Sequence, residues 1–261
     1  MESRGQRRSS QQQFGQRAAA YAVSWAHSAG ESLELVEALV ALGGRPFHRA
    51  VDVATGAGFA AFVVAPHADR VLATDLTPQM LEQAKRLRDE RGLANIELAV
   101  AAAEGLPFAS NSLDLVTCRI APHHFLGFHA WLAEVGRVLR PGGVLVACDT
   151  AAPEDEGLAE WMNDIEARRD PSHVRNLAPS EWRQAVEGAG LRVTHTELCY
   201  TWHEFEDWTK RSGMASDERE RLRTDFLSAD KGHATAFNLT INDTGTIRWS
   251  WDAVVLRAEK G

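Results

Sequence analysis

From residue 31 onward, strand-like apolar runs alternate with stretches of helical period, and this alternation restricts the fold more than any other feature of the chain. Residues 48–54, 70–75, 95–101, 113–120 and 143–150 read as strands, and residues 59–65, 78–91 and 129–139 between them read as helices. Such alternation implies strand–helix–strand units and a mostly parallel α/β sheet. The second helix is bounded by Thr77 as its cap, Pro78 in its first turn and Gly92 as its stop. Residues 191–200 and 246–259 add two strands, the last alternating Ile247, Trp249 and Trp251, and together they predict an antiparallel hairpin that closes the sheet.

Two helical regions fall outside the alternation: residues 18–42, and residues 153–169 with 205–227, which hold Trp161 and Trp208. Ligands of open parallel sheets bind beyond the carboxyl ends of the strands, so these helices are expected as lids, although tryptophans are most often buried for packing alone. The expected organisation is a disordered, basic and Gln/Ser-rich tail over residues 1–17 and one domain over residues 18–261. That domain divides into a helical lid (18–44), a ligand-binding core (45–152) and a set of helices and strands on the far side of the ligand (153–261). A chain of 261 residues buries about three quarters of its unfolded surface and needs no metal or disulfide to hold it. Lys and Arg number 28 against 36 Asp and Glu, a net −8 that repels phosphate backbones, so nucleic acid is not an expected partner. No apolar run approaches the length of a membrane span. Cys118, Cys148 and Cys199 are widely spaced and read as small buried hydrophobes of a reducing, cytoplasmic compartment, and no metal-ligand spacing occurs. A homodimer stays open.

The first strand runs into VDVATGAGF (residues 51–59). Small residues at Ala54, Thr55, Gly56 and Gly58 let the backbone approach a ligand and point helix N–H groups at it. Gly56, Gly58 and Ala61 also satisfy the nicotinamide-dinucleotide pattern, so this turn alone does not choose the ligand. Asp75 ends the second strand 17 residues beyond Gly58, where a carboxylate can accept both ribose hydroxyls, and 76–78 offer no basic residue for a 2′-phosphate. Asp52 puts a carboxylate beside the turn, where it either binds an ammonium group or caps its own loop.

Together VDVATGAGF, TDLTPQMLEQAK (74–85), AEGLPF (103–108), LDLVTCRIAPHHF (113–125) and RVLRPGGVL (137–145), in this order and spacing, resemble the class I S-adenosylmethionine-dependent methyltransferases. The nearest branch is the small-molecule one related to ubiquinone and menaquinone C-methyltransferases. The resemblance implies a seven-stranded Rossmann-like sheet in the order 3-2-1-4-5-7-6 with the seventh strand antiparallel, and helical lid segments. It implies S-adenosylmethionine as cofactor, with Ala54, Gly56 and Gly58 under its methionine part, Asp75 on the ribose, Leu76 and Met80 beside the adenine, and Arg119 and Ile120 near the sulfonium. Tyr21, Trp25 and His27 would cover it. The family usually has Gly at the place of Ala54 and Asp at that of Ala102, so the adenine amino group would rely on backbone groups near Ala103 and Glu104.

Methyl transfer from a sulfonium needs alignment, exclusion of water and removal of a proton. His123 and His124 follow the fourth strand and are the candidate general bases, His124 slightly favoured; the alternative is that they only shape the pocket. Trp161, His173, Trp202 and Trp208, with the two histidines, are the candidate acceptor-binding residues, suited to a small apolar or aromatic metabolite. The expected reaction is methylation of a C or O atom of that metabolite. The competing reading is a cyclase or rearrangement enzyme that binds the same cofactor without transferring its methyl.

Overall fold

The computed structural model describes Gln11, Phe14, Gly15, Ala18, residues 29–44 and residues 46–261. Helix α1 (Glu31–Ala41) precedes β1 (Phe47–Val53), α2 (Phe59–Val64), β2 (Ala68–Asp75), α3 (Pro78–Glu90) and β3 (Ile96–Val100). Then follow β4 (Leu113–Arg119), α4 (Phe128–Val138), β5 (Leu139–Ala151), α5 (Glu156–Arg169), α6 (Pro179–Gly188) and β6 (Leu191–Glu204). The chain ends in α7 (Phe205–Ser212), α8 (Ser216–Ser228), α9 (Lys231–Ala236), β7 (Thr240–Ile241) and β8 (Ile247–Lys260). The sheet order is β3-β2-β1-β4-β5-β8-β6, with β8 antiparallel to both β5 and β6. This is the expected order, plus one two-residue strand, β7, on β8.

Strands covered on both faces must be apolar at every position, and their two-residue period then splits each run between two layers. Leu115, Val146 and Val255 join Val36 and Val40 of α1 and Ala61 and Val64 of α2 on one face. Val116, Leu145 and Leu256, each one residue away, join Trp131 and Val135 of α4 and Trp182 and Val186 of α6 on the other. A third cluster, Met162, Ile165, Phe205, Trp208, Phe226, Trp249 and Trp251 among others, lies where β8 meets α5, α7 and α8. Each tryptophan buried there removes on the order of 200 Å² from water, about 5 kcal/mol gross.

Three local expectations need correction. Residues 191–200 and 246–259 do pair antiparallel, but not as a hairpin: α7, α8, α9 and β7 intervene. The helical stretch 205–227 breaks at Gly213, whose φ of 62° ends α7 in a left-handed cap. Thr77 occupies the cap position of α3, yet its side chain makes no cap bond; its backbone N–H donates to Asp75 Oδ1 instead, at 2.8 Å. Of the lid stretch 18–42, α1 covers Glu31–Ala41, and Tyr21, Trp25 and His27 lie outside the described residues.

Gly58 opens α2 at φ 95° with no space beside it: a Cβ there would stand 2.6 Å from Phe62 Cζ. Gly58→Ala is expected to cost about 1–3 kcal/mol, read as a lower urea midpoint at unchanged m-value.

Candidate active site

The chain runs outward from β1 to β3 on one side and from β4 to β5 on the other, so the crevice between β1 and β4 is the switch point where such sheets bind ligands. A cavity of about 220 Å³ opens there, its floor the turn 54–57 at the carboxyl end of β1. The turn is wound tightly enough to force Ala54 to φ 53° and Gly56 to φ 55°, which explains why glycine is the ordinary residue at the first of these positions.

Two buried carboxylates fix the turn. Asp52 accepts from Thr55 Oγ1 at 2.6 Å and from Thr117 Oγ1 at 2.7 Å, so the loop-capping role is realised. Burial outweighs these hydroxyls and pushes its carboxyl up to about 6. Asp75 accepts from the N–H of Gly56 through Oδ2 and of Thr77 through Oδ1, each at 2.8 Å; burial raises its pKa too, against those amides. Each oxygen keeps a second lone pair, the acceptor capacity a vicinal diol needs. Leu76, Met80, Ala102, Ala103 and Glu104 form the wall beyond Asp75, while Arg119 and Ile120 stand at the end of β4. Arg119 donates to Ser32 Oγ at 2.9 Å, tying β4 to α1. From the amino-terminal residues, Gln11 donates to Leu76 O at 2.8 Å and Phe14 meets the His124 ring edge-on at 4.9 Å. Gly58, expected among the ligand-binding residues, is not in the cavity wall; it packs on Phe62 and Ala84 behind the turn.

The cavity continues past β4 to His123, His124 and His173. His123 is held by one carboxylate at two points: its N–H donates to Asp149 Oδ2 and its Nδ1 to Asp149 Oδ1, both at 2.6 Å. That bond selects the Nδ1–H tautomer and leaves the lone pair on Nε2. Burial pushes His123 down, but the Asp149 charge and hydrogen bond together outweigh it, so its pKa ends above 6.5. His124 bonds the Ser172 carbonyl through Nδ1 at 3.1 Å, and burial next to His123 lowers it to about 3. His173, with Nε2 on Asn163 Oδ1 at 3.0 Å, is lowered by burial to about 2. Of the adjacent pair, His123 is thus made the more basic by Asp149, and His124 the less basic by burial beside it.

Trp208 lines this end, as expected, but two other tryptophans do not. Trp202 is on the opposite side of β6 from the lining residues Thr201 and His203 and is 57% exposed. Trp161 turns away from the α5 face that presents Glu166 and Arg169, and stacks on Phe237 at 5.2 Å. In their place stand Trp251, Glu166, Arg169, Asn176, His203 and Arg211, from elements far apart in the chain. Among the described residues no cluster of His, Cys, Asp or Glu is placed to hold a metal, and no helix is long and apolar enough to cross a membrane.

A carboxylate-lined cavity at the switch point of a 3-2-1-4-5-7-6-type sheet, continuous with a histidine-lined chamber, is the architecture of a class I methyltransferase. A family model described as "Methyltransferase domain" matches residues 51–147. The chain is 33% identical over 201 residues to the uncharacterized methyltransferase YcgJ of Bacillus subtilis (strain 168), covering 77% of this chain and 79% of that protein. It is 37% identical over 178 residues to the uncharacterized protein YafE of Escherichia coli (strain K12), covering 68% and 86%. The demethylmenaquinone methyltransferase of Clavibacter sepedonicus is 28% identical over 189 residues, covering 70% and 72%. The crystal structure of the Bacillus YcgJ protein superposes with a TM-score of 0.82 at 32% identity, over 88% of this chain and 97% of that one. The chain belongs to the class I S-adenosylmethionine-dependent methyltransferases. These relatives favour methyl transfer over the cyclase or rearrangement reading.

Proposed function

We propose that the protein transfers the methyl group of S-adenosylmethionine to a C or O atom of a small, apolar or aromatic metabolite, with His123 as general base. The observation that carries this reading is the buried His123–Asp149 pair in the wall of the cavity that also contains Asp75 and the glycine turn. The demethylmenaquinone methyltransferase among the relatives, by its name an enzyme acting on a quinone-type ring, supports an aromatic acceptor.

The lining fits the cofactor. Asp52, Asp75 and Glu104 outnumber Arg119 at this end, which suits a cation bearing an ammonium, a sulfonium and a ribose and opposes a pyrophosphate. Asp75 would hold the ribose, Leu76 and Met80 the adenine, backbone groups near Ala103 and Glu104 its amino edge, Asp52, Ala54, Thr55 and Gly56 the methionine part, and Arg119 and Ile120 the sulfonium side. Tyr21 and His27 would cover it as part of a lid over residues 18–44. When bound, S-adenosylmethionine would supply an activated methyl group, its sulfur keeping the bonding electron pair as the leaving atom. His123 Nε2 would take the proton that the acceptor atom loses as it gains the methyl. Asp149 keeps the Nδ1–H tautomer through the cycle, while His124, His173 and Trp208 shape the chamber and exclude water.

Isothermal titration calorimetry with S-adenosylmethionine and with its demethylated product is expected to give saturable 1:1 binding, with NAD giving none. Incubation with methyl-labelled cofactor and a panel of phenols and quinols is expected to move the label from sulfur to an acceptor. Absence of binding at about 1 mM overturns the reading.

A further inference from the structure

Beyond His123 the chamber wall changes character, and one residue there is chemically incomplete. Asn176 is 1% exposed. Its backbone is clamped by Asn163, whose Oδ1 accepts from the Asn176 N–H at 2.7 Å and whose Nδ2 donates to the Asn176 carbonyl at 3.2 Å. Yet among the described residues its own side-chain Nδ2 and Oδ1 are buried with no hydrogen-bond partner, and the residue lines the cavity. A buried carboxamide without partners destabilises a fold, so one fixed in a ligand cavity indicates that the ligand completes it.

The charges beside it define that ligand. Arg169 from α5 and Arg211 from α7 both line the same cavity. The carboxylates at this end are committed: Glu166 to the Trp251 indole N–H at 2.7 Å and to Arg169 at 2.9 Å, Asp149 to His123, and Asp170 to the Ser172 hydroxyl at 2.6 Å and N–H at 2.8 Å. The Arg169 guanidinium lies over the Trp208 ring, 4.8 Å from its centroid, and Arg211 pairs outward with Asp207, itself 65% exposed. Two guanidiniums and an unsatisfied amide, set in a wall with Trp208 and Trp251, form a site for a planar anion.

We propose that the acceptor is a planar acid: an aromatic or enolic ring bearing a carboxylate that Arg169, Arg211 and Asn176 receive. The ring then lies against Trp208 and Trp251 with its nucleophilic C or O toward His123. This rests on the methyl-transfer reading and replaces its apolar or aromatic acceptor with a planar, anionic one.

The experiment is calorimetry on the full chain saturated with S-adenosylhomocysteine, whose own binding is measured first. If that molecule does not bind, the methyltransferase reading itself fails and the acceptor proposal falls with it. With it bound, 2-hydroxybenzoate, cinnamate and indole-3-acetate are titrated against their primary amides. Acids are expected to bind at least about tenfold more tightly than the matched amides. Arg211→Gln should remove most of that preference while leaving the affinity for the amides and for S-adenosylhomocysteine unchanged. Asn176→Leu should weaken the acids and yet raise Tm by about 2–4 °C, because an unsatisfied buried amide is gone. Equal affinity for acids and amides, no binding of any acid, or a preference that survives Arg211→Gln overturns the proposal and leaves the methyl-transfer reading standing.

Discussion

Asp75→Asn is expected to weaken S-adenosylmethionine binding by about 10–100-fold, the loss of one charge-assisted hydrogen bond of about 1.5–3 kcal/mol. The native carboxylate accepts a backbone N–H on each oxygen, from Gly56 and from Thr77. An asparagine must turn an NH2 toward one of those donors, so the turn under the methionine part and the acceptor for the ribose are damaged by a single atom exchange. Because burial holds the Asp75 carboxyl above the usual carboxylate range, cofactor affinity of the unaltered protein should begin to fall on acidification before a solvent-exposed aspartate would titrate. Calorimetry from pH 8 downward reads both effects. An Asp75→Asn protein that is folded and binds the cofactor within about threefold of the parent removes Asp75 from the site.

The parts of this molecule that could be read from its sequence are those whose constraint is local. The central strands are legible to within a few residues because a strand buried on both faces has no polar positions to blur its ends, as β4 illustrates: every residue before Arg119 is buried. The glycine turn is legible for the same reason, since positive φ at Gly56 and Gly58 is a property of three or four consecutive residues. Helix α6 has no comparable signature: its apolar contribution to the core is Trp182 and Val186, one pair at i, i+4.

The acceptor chamber is the part that sequence could not assemble. Periodicity places Trp161 and Arg169 on one helix, and the face presented to the cavity is set by what α5 packs against, here the aromatic side chains of α8, α9 and β8 around Trp161. Trp202 fails through strand parity: a shift of one residue along β6 separates it from His203, which lines the chamber. Arg211 of α7, Asn176 of the loop after α5 and Trp251 of β8 are far apart in sequence and line one cavity only in the folded chain. The choice between His123 and His124 is of the same kind, because it is decided by Asp149, which lies 26 positions away on the neighbouring strand.

His123→Gln should lower kcat by about 10²–10⁴-fold, the range of a general base, with cofactor affinity unchanged, whereas His124→Gln should lack that loss because His124, held near 3, is too weak a base to serve. The pH dependence separates a base from a residue that only shapes the chamber. A base works deprotonated, so activity should rise with pH through the His123 pKa, which lies above 6.5 because the Asp149 charge and bond outweigh burial. Asp149→Asn removes the two largest raising influences and leaves burial opposed only by the lesser charges of Glu166 and Asp170, so the acid limb of kcat/KM should move to lower pH even as the plateau falls with the loss of the held tautomer. Stability must move in step. A histidine whose folded pKa exceeds its unfolded value stabilises the fold fully below about pH 6.5, and this is lost as pH rises through the folded pKa. The gap in unfolding free energy between the parent and Asp149→Asn should therefore be wider at pH 5 than at pH 9. Nitrogen-15 NMR of labelled histidines follows the same titration without any acceptor. A His123 resonance that titrates below 6.5 in the parent, or that does not shift in Asp149→Asn, would leave the chamber without its base and the proton of the acceptor without a destination.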